Sequence, residues 1–242
     1  MSKIRIDRFL AQENFGTRKH SRKLVKDGLV SIDDIIIKDP STIFDTEKNI
    51  VKVDGEIIEY KEDLFFLLNK PADYMCSTID EKYPSVLRLL PEQYEKRLKI
   101  VGRLDVDTTG VLLLTSDGKV VNYLAHPKNN IGKTYRVYCN HKIPLEMIEK
   151  VKTPLDIGRD EMSSGAILSI VSDDVADITL FEGKYHEVKR IFKIFNLEVI
   201  KLDRIRFQDF TYGDLKQGEY RQLNEEESLK LLKATHPERY EE

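Results

Sequence analysis

From Leu64 onward the chain carries a succession of apolar or alternating runs of strand length: LFFLLNKP, VLLLTS, KTYRVYC, ILSIV, ADITLFEG and RIRFQDFTY. Helical segments fall between only some of them, at DGKVVNYLA, PLEMIEKVK and YHEVKRIFKIF. A βαβ repeat would alternate regularly, so this spacing predicts an α+β fold built on a mixed, largely antiparallel sheet. Pro71 stops the first strand, Ser116 stands where it can cap the DGKVVNYLA helix, and His126 with Pro127 closes that helix. Asn224 and Glu227 form a capping box before a last helix, SLKLLK.

The chain before Leu64 follows a different pattern. Ile4, Phe9 and Leu10 in IRIDRFLAQ have helical spacing and predict a short first helix. Thr17 is an N-cap for a second, from about Arg18 to Asp27, and Gly28 stands where a left-handed residue ends a helix. On that helix Arg18, Arg22 and Lys26 recur four apart, as do Lys19 and Lys23, with Leu24, Val25 and Leu29 on the apolar side. One face is a basic stripe, suited to backbone phosphates or to plain solvation. Next, LVSIDDIIIKDPSTIFDTEKNIVKVDG alternates β-branched residues with turn signals at DD, DP and DG, as short antiparallel strands do. EYKED, at residues 59–63, lacks the apolar pattern and reads as a linker between a small domain, 1–60, and a larger one, 61–242.

A chain of 242 residues, 40% hydrophobic and 33% charged, is an ordinary globular sequence able to bury a core in one or two domains. Its net charge of −3 speaks against an acidic partner only as an average. Eight basic residues between Lys3 and Lys26 face only Asp7 and Glu13, while NEEESLKLLKATHPERYEE carries much of the compensating negative charge. No window approaches the ~18 apolar residues of a membrane span, which predicts a cytoplasmic protein. Cys76 and Cys139 stand alone, so neither a disulfide framework nor a zinc site is expected. His20, His126, His141, His186 and His236 show no ligand spacing and read as hydrogen-bonded structural groups. With no Walker loop and no GxGxxG, neither a nucleotide nor a metal cofactor is expected.

The chemistry concentrates in GRLDVDTTG, Gly102 to Gly110. Asp105 and Asp107 are two apart, so on an extended chain they face the same way at ~6 to 7 Å, a separation that an inverting glycosidase uses for its paired carboxylates. The same residues also make an ordinary hydrogen-bonded turn before a strand. Taken alone, they favour the turn.

The wider context decides between them. LLNKPADYMCS, VGRLDVDTTGVLLLTSDG, KTYRV and EGKYHEVKRIF, in this order and at these intervals, resemble the pseudouridine synthases of the RsuA type across residues 64 to about 223. TRKHSRKLVKDGLV, followed by a β segment ending in VDGE, resembles the S4 RNA-binding domain over roughly the first sixty residues, with Asp33 and Asp34 replacing that family's usual Asn-Gly turn. The resemblance implies an enzyme that isomerises a uridine already inside an RNA chain. It breaks the N1 to C1′ bond, turns the uracil and rejoins C5 to C1′, redox-neutral and without cofactor. It further implies ribosomal RNA or a pre-ribosomal particle as partner, no membrane, and a monomer. GKYHEVKRIF and KPADYMCSTIDEKYPSVL are more similar to the small-subunit (16S) branch than to the large-subunit branch, whose third motif commonly reads GKNRQVRRM.

Carried over position by position, the catalytic aspartate falls on Asp105, and Asp107 becomes an organiser of the loop with Thr108 and Thr109. Lys189 is the basic partner expected to favour the ionised carboxylate, with Arg190 next to it. Tyr135 in KTYRV is the tyrosine lying against the target base. Arg103 is expected to touch RNA, filling the space of the extruded nucleotide or holding a phosphate, and a salt bridge to Asp107 is its plainer role. Lys70 and Lys133 read as phosphate or loop contacts, Arg190 and Arg204 as RNA contacts, Leu202 as an aliphatic group near the base, and Arg18, Lys19, Arg22, Lys23 and Lys26 as the S4 contacts. Two other classes compete. A non-catalytic RNA-binding assembly factor would be marked by a replaced Asp105, and a carboxylate glycosidase acting on free sugars or nucleosides would leave the basic helix idle.

Overall fold

A computed structural model describes residues 3–13, 15–46, 48–58, 63–95 and 97–237 of the chain. The expected linker at 59–63 lies outside them except for Asp63. In the N-terminal unit β1 (Lys3–Arg5) leads directly into α1 (Ile6–Gln12), and α2 (Arg18–Lys26) follows. Ile4 therefore belongs to a strand rather than to the first helix: it is buried and pairs with Phe44 of a later strand. Three residues of strand carry too little periodicity to be told from a helix start. Thr17 Oγ1 accepts the His20 amide at 3.3 Å, and Gly28 follows α2 with φ +77°. The strands β2 (Val30–Ile32), β3 (Ile35–Ile36), β4 (Ile43–Asp45), β5 (Val51–Val53) and β6 (Glu56–Ile58) complete the unit, four of them as an antiparallel sheet ordered β3-β2-β5-β6. Asp33 and Asp34, with φ 49° and 65°, make the β2–β3 turn, where a two-residue hairpin needs two positive φ angles.

The basic stripe of α2 is divided between two tasks. Asp7 on α1 is fully buried and takes Arg22 Nε at 2.9 Å, Arg5 Nη2 at 3.1 Å and Arg18 Nε at 3.4 Å. Burial alone would raise its pKa, but the three guanidinium groups outweigh burial and hold it below the usual carboxylate range. Arg18 and Arg22 thus fasten α2 to α1, while Lys19, Lys23 and Lys26 have no ion pair among the described residues.

The larger unit holds a second sheet. In chain order its elements are β7 (Phe65–Lys70), α3 (Glu92–Glu95), β8 (Lys99–Ile100), β9 (Thr109–Thr115), α4 (Gly118–Ala125), β10 (Lys133–Cys139), α5 (Met147–Lys150), β11 (Ile167–Ser172), β12 (Val175–Leu180), α6 (Glu187–Ile194), β13 (Val199–Phe207), β14 (Tyr220–Gln222) and α7 (Glu225–Thr235). The strand order is β11-β12-β10-β13-β9-β7-β14, with β8 also paired to β9. Every pairing but β13 with β9 is antiparallel, so the sheet is mixed and largely antiparallel as expected. β7 is buried along its whole length because both faces are covered. Phe65 and Leu67 pack with residues of α4 and α7, whereas Phe66 and Leu68 pack with Val86, Leu87 and Leu90. Asp117, not Ser116, caps α4 by accepting the Lys119 amide at 2.7 Å, and Ser116 Oγ accepts the Leu64 amide at 2.9 Å instead. The helix expected over PLEMIEKVK is only the short α5. No helix among the described residues is long and apolar enough to cross a membrane.

The parallel contact between β13 and β9 sets the position of the site. Gly110 has φ +105°, and a Cβ there would lie 2.3 Å from the Arg204 carbonyl oxygen, so only glycine lets the two strands meet. The segment just before β9, which carries Asp105, is thereby brought beside β13 and, across it, β10.

Candidate active site

The turn that carries Asp105 is built on a buried ammonium group. Lys70 at the end of β7 is fully buried, and its Nζ donates to the carbonyl oxygens of Pro71 at 2.9 Å, Val106 at 3.2 Å and Thr108 at 2.9 Å. The Asp73 amide also reaches Val106 O at 3.0 Å, and the Thr108 amide closes the turn on Asp105 O at 3.1 Å. Leu104 is buried, with its amide directed to Cys76 Sγ at 3.3 Å. With its backbone neighbours committed inward, Asp105 points its carboxylate into a cleft, with 31% of the side chain exposed.

Two cationic or protonatable groups from the start of α6 face that carboxylate. His186 Nε2 lies 3.4 Å from Asp105 Oδ1, and Lys189 Nζ lies 3.8 Å from Oδ2. Lys189 is held more closely by Asp107, at 2.8 and 2.7 Å from its two oxygens. Burial would raise the Asp107 pKa, but the Lys189 hydrogen bonds outweigh it and lower the value. The lysine is thus positioned by Asp107 and shared with Asp105. Thr109 Oγ1 donates to Asp203 Oδ1 at 2.7 Å and so ties the loop to β13, whereas Thr108 Oγ1 is buried without a hydrogen-bond partner. The cleft is small, with a cavity volume of about 80 Å³. Tyr135, Leu180, Val188 and Leu202 give it apolar walls, and Arg103 stands on its rim.

Of the residues singled out in the sequence, Arg103, Asp105, Tyr135, Lys189 and Leu202 come together in this cleft. Arg103 is exposed and forms no salt bridge to Asp107, which Lys189 occupies. Arg190 and Arg204, expected as RNA contacts, are corrected by their surroundings, and Lys70 and Lys133 take the loop side of their two readings. Lys70 is spent on the turn. Arg204 is 1% exposed, with Nε donating to Val111 O at 2.7 Å and its guanidinium over the Phe207 ring. Lys133 is buried, with Nζ 3.4 Å from the carbonyl oxygens of Ile131 and Glu182. Arg190 turns its fork onto the segment 157–161, donating to Ile157 O at 2.7 Å, to Gly158 O and to Glu161 Oε2 at 2.5 Å. A basic residue is drawn to carbonyl oxygens as readily as to phosphate once the fold excludes water around it.

His186, by sequence a structural histidine, is set against Asp105 by the fold instead. It occupies the left-handed region at φ 51°, one residue before α6. Its place inside the motif that supplies Lys189 is the available signal; the absence of metal-ligand spacing is no argument against a role beside a carboxylate.

Glu187 adds a pH-sensitive group to the cleft wall. Burial, followed by its hydrogen bond to the Glu182 carboxylate, pushes its pKa up to about 7. For Glu182, burial would act in the same sense, but hydrogen bonds from Glu187, Lys184 and Ser164 hold it down. In the unfolded chain Glu187 ionises near 4.5. Between the two values the folded protein keeps a proton that the unfolded chain has lost, so this contribution to stability is full below pH 4.5 and is lost as pH rises to about 7. Glu187→Gln retains a donor toward Glu182 and has no such proton. Thermal unfolding scans across pH 4.5 to 7 are expected to show a decline in wild-type Tm that is flattened in Glu187→Gln.

A cleft that sets a carboxylate beside a histidine, a lysine and apolar walls, on a protein that also presents a cationic helix, suits chemistry on a polyanionic substrate. Comparison with known proteins makes the class definite: residues 64–193 match the family model described as RNA pseudouridylate synthase, and residues 4–50 match that of the S4 domain. The chain belongs to the RNA pseudouridylate synthase family and carries an S4 domain ahead of the catalytic unit. It is 37% identical over 235 residues to an uncharacterized RNA pseudouridine synthase, YtzG, of Bacillus subtilis (strain 168), covering 95% of this chain and 98% of that protein. It is 31% identical to the ribosomal small subunit pseudouridine synthase A of Escherichia coli (strain K12), over 95% of this chain and all of that one. A crystal structure of a pseudouridylate synthase aligns over 94% of this chain and 99% of its own, with a TM-score of 0.68 and 31% identity.

Proposed function

We propose that this pseudouridine synthase isomerises uridine in small-subunit ribosomal RNA, with Asp105 as its catalytic carboxylate. The observation that carries the site is the seating of Asp105 in the cleft within reach of both His186 and Lys189, with Tyr135 and Leu202 on the walls. The carboxylate either attacks C1′ and displaces the uracil through N1, or takes the 2′ proton to give a glycal; both routes start at Asp105. After the uracil turns, C5 bonds to C1′ as Asp105 is displaced from it, or as the glycal regains its 2′ proton; the C5 proton leaves and N1 gains a proton, so the product has the mass of the substrate. Lys189 Nζ and His186 Nε2 stand 3.8 and 3.4 Å from the carboxylate, and Tyr135 lies where it can meet the turned base. The paired-carboxylate alternative loses its second member, because both Asp107 oxygens are taken by Lys189.

The substrate reading rests on the relatives named for the small ribosomal subunit, matched along nearly the whole chain. The enzyme is read as a cytoplasmic monomer acting on that RNA, or on its precursor particle, without a cofactor. Tritium at C5 of uracil in transcribed ribosomal RNA and in precursor particles tests it. Release from small-subunit RNA alone is expected; release from large-subunit RNA alone reassigns the substrate, and binding without release points to an assembly factor.

The S4 unit is expected to supply salt-dependent affinity through the lysines that the fold leaves unpaired. Replacing Lys19, Lys23 and Lys26 by Gln should reduce the slope of log affinity against log salt by about 0.7 for each phosphate of single-stranded RNA that is no longer neutralised, with Tm unchanged. The Arg22→Ala change should instead lower Tm, because it leaves the buried Asp7 with fewer cations. Binding titrations across a salt series, with melting scans of the same variants, separate the two.

A further inference from the structure

The ring of His186 presents its Nε2 to Asp105, and one of its faces carries a second aromatic ring. Tyr185 stacks on it with centroids 3.8 Å apart and planes 17° from parallel. Arg159 Cζ lies 4.8 Å from the Tyr185 centroid. Since His186 already covers one face of that ring, the guanidinium group must approach from the other. A ladder of planar groups therefore runs from the reactive carboxylate outward: His186, Tyr185, Arg159. Its outer steps are open, with Tyr185 57% exposed and Arg159 exposed.

The ladder is braced from beneath. Arg190, on the helix that carries Lys189, holds the carbonyl oxygens of Ile157 and Gly158 and the carboxylate of Glu161, and it also reaches Tyr185 O at 3.1 Å. One arginine thus fixes both the segment that presents Arg159 and the backbone of the ring beneath it. Arg159 itself has no salt bridge among the described residues, so its charge is not neutralised by the protein. An aromatic ring under an unpaired guanidinium plane, at the mouth of a cleft that takes a flipped-out nucleotide, is suited to a nucleobase with its phosphate. Every base offers a π-face to stack, and Arg can add cation–π attraction and a phosphate contact.

We propose that Arg159, Tyr185 and His186 form a stacking platform for the nucleobase adjacent in the RNA strand to the uridine being isomerised. Flipping the target removes a stacking partner from that neighbour, and the platform replaces it. This rests on the reading of the cleft as the uridine site.

The chain contains no tryptophan, so Tyr185→Trp yields a protein with a single indole on the platform. Its fluorescence should be quenched by transcribed small-subunit ribosomal RNA and not by heparin, a polyanion without bases. An equal response to both, or none to RNA that binds, overturns the proposal. In the tritium-release assay Arg159→Ala should raise KM about tenfold and lower kcat by less. Arg159→Lys, which keeps the charge and loses the plane, should recover only part of the affinity. Full recovery by lysine reduces the platform to a phosphate contact and overturns it. The fluorescence measurement needs no turnover, so a wild type that binds RNA without releasing tritium counts against the synthase reading while the quench still decides the platform.

Discussion

Asp105→Asn is expected to reduce tritium release from C5-labelled RNA by roughly 10⁴-fold, the upper end of what one proton-transferring or nucleophilic side chain contributes. The variant should keep the wild-type Tm and RNA affinity. The asparagine is nearly isosteric, and the Asp105 side chain holds up no part of the loop: the turn is closed by the Thr108 amide on the Asp105 carbonyl oxygen and by Lys70 from below. What is removed is the negative charge that faces Lys189 and His186 across 3.8 and 3.4 Å. Asp107→Asn is the informative contrast. Its side chain is 70% exposed, and an exposed ion pair contributes about 1 kcal/mol or less. Turnover should therefore fall by no more than about tenfold, as Lys189 relaxes from Asp107 toward Asp105. Equal losses in the two variants, both folded, would mean that the carboxylates work as a pair.

The parts of the site legible in the sequence are those whose position is set by a motif on a regular element. Tyr135 and Leu202 lie on β10 and β13, Lys189 lies on α6, and Asp105 lies in the turn four residues before β9 begins, so each motif fixes where its side chain stands. The parts that are not legible depend on burial or on contacts distant in the chain. Asp7 lies 15 positions from Arg22 and on another helix, so nothing in the α2 stripe reveals that two of its cations are already engaged. Lys70 closes a strand in which every residue is buried, and that context, FFLLNK, is a stronger guide than its charge. His186 depends on a left-handed backbone angle that aims its ring at Asp105, and no spacing rule encodes such an angle. Ser116 and Asp117 are adjacent and equally able to cap a helix; the tie is broken by the Leu64 amide, which engages Ser116 from 52 positions away.

Lys70→Met is expected to lower kcat by roughly 10²-fold while the salt dependence of RNA binding stays as in the wild type. Methionine nearly matches the length of the lysine stem and removes all of its donors. The carbonyl oxygens of Val106 and Thr108 then lack the ammonium that draws them inward. An unsatisfied buried acceptor costs about 1 to 3 kcal/mol, so the turn shifts outward to find water, and Asp105 shifts with it. A displacement of about 1 Å suffices for a hundredfold loss when the reacting groups must be aligned. Stability should respond much less. Burial holds the Lys70 pKa below the ordinary lysine range, only partly offset by Cys76, Asp107, Asp105 and Asp73, so removing the charge also removes a desolvation cost. Activity and Tm therefore separate in this variant. A phosphate contact would behave in the opposite way, with kcat kept, affinity reduced and the salt slope lowered by about 0.7. Turnover measured at saturating RNA, with binding titrated across a salt series, distinguishes a cation that shapes the catalytic turn from one that reaches the RNA.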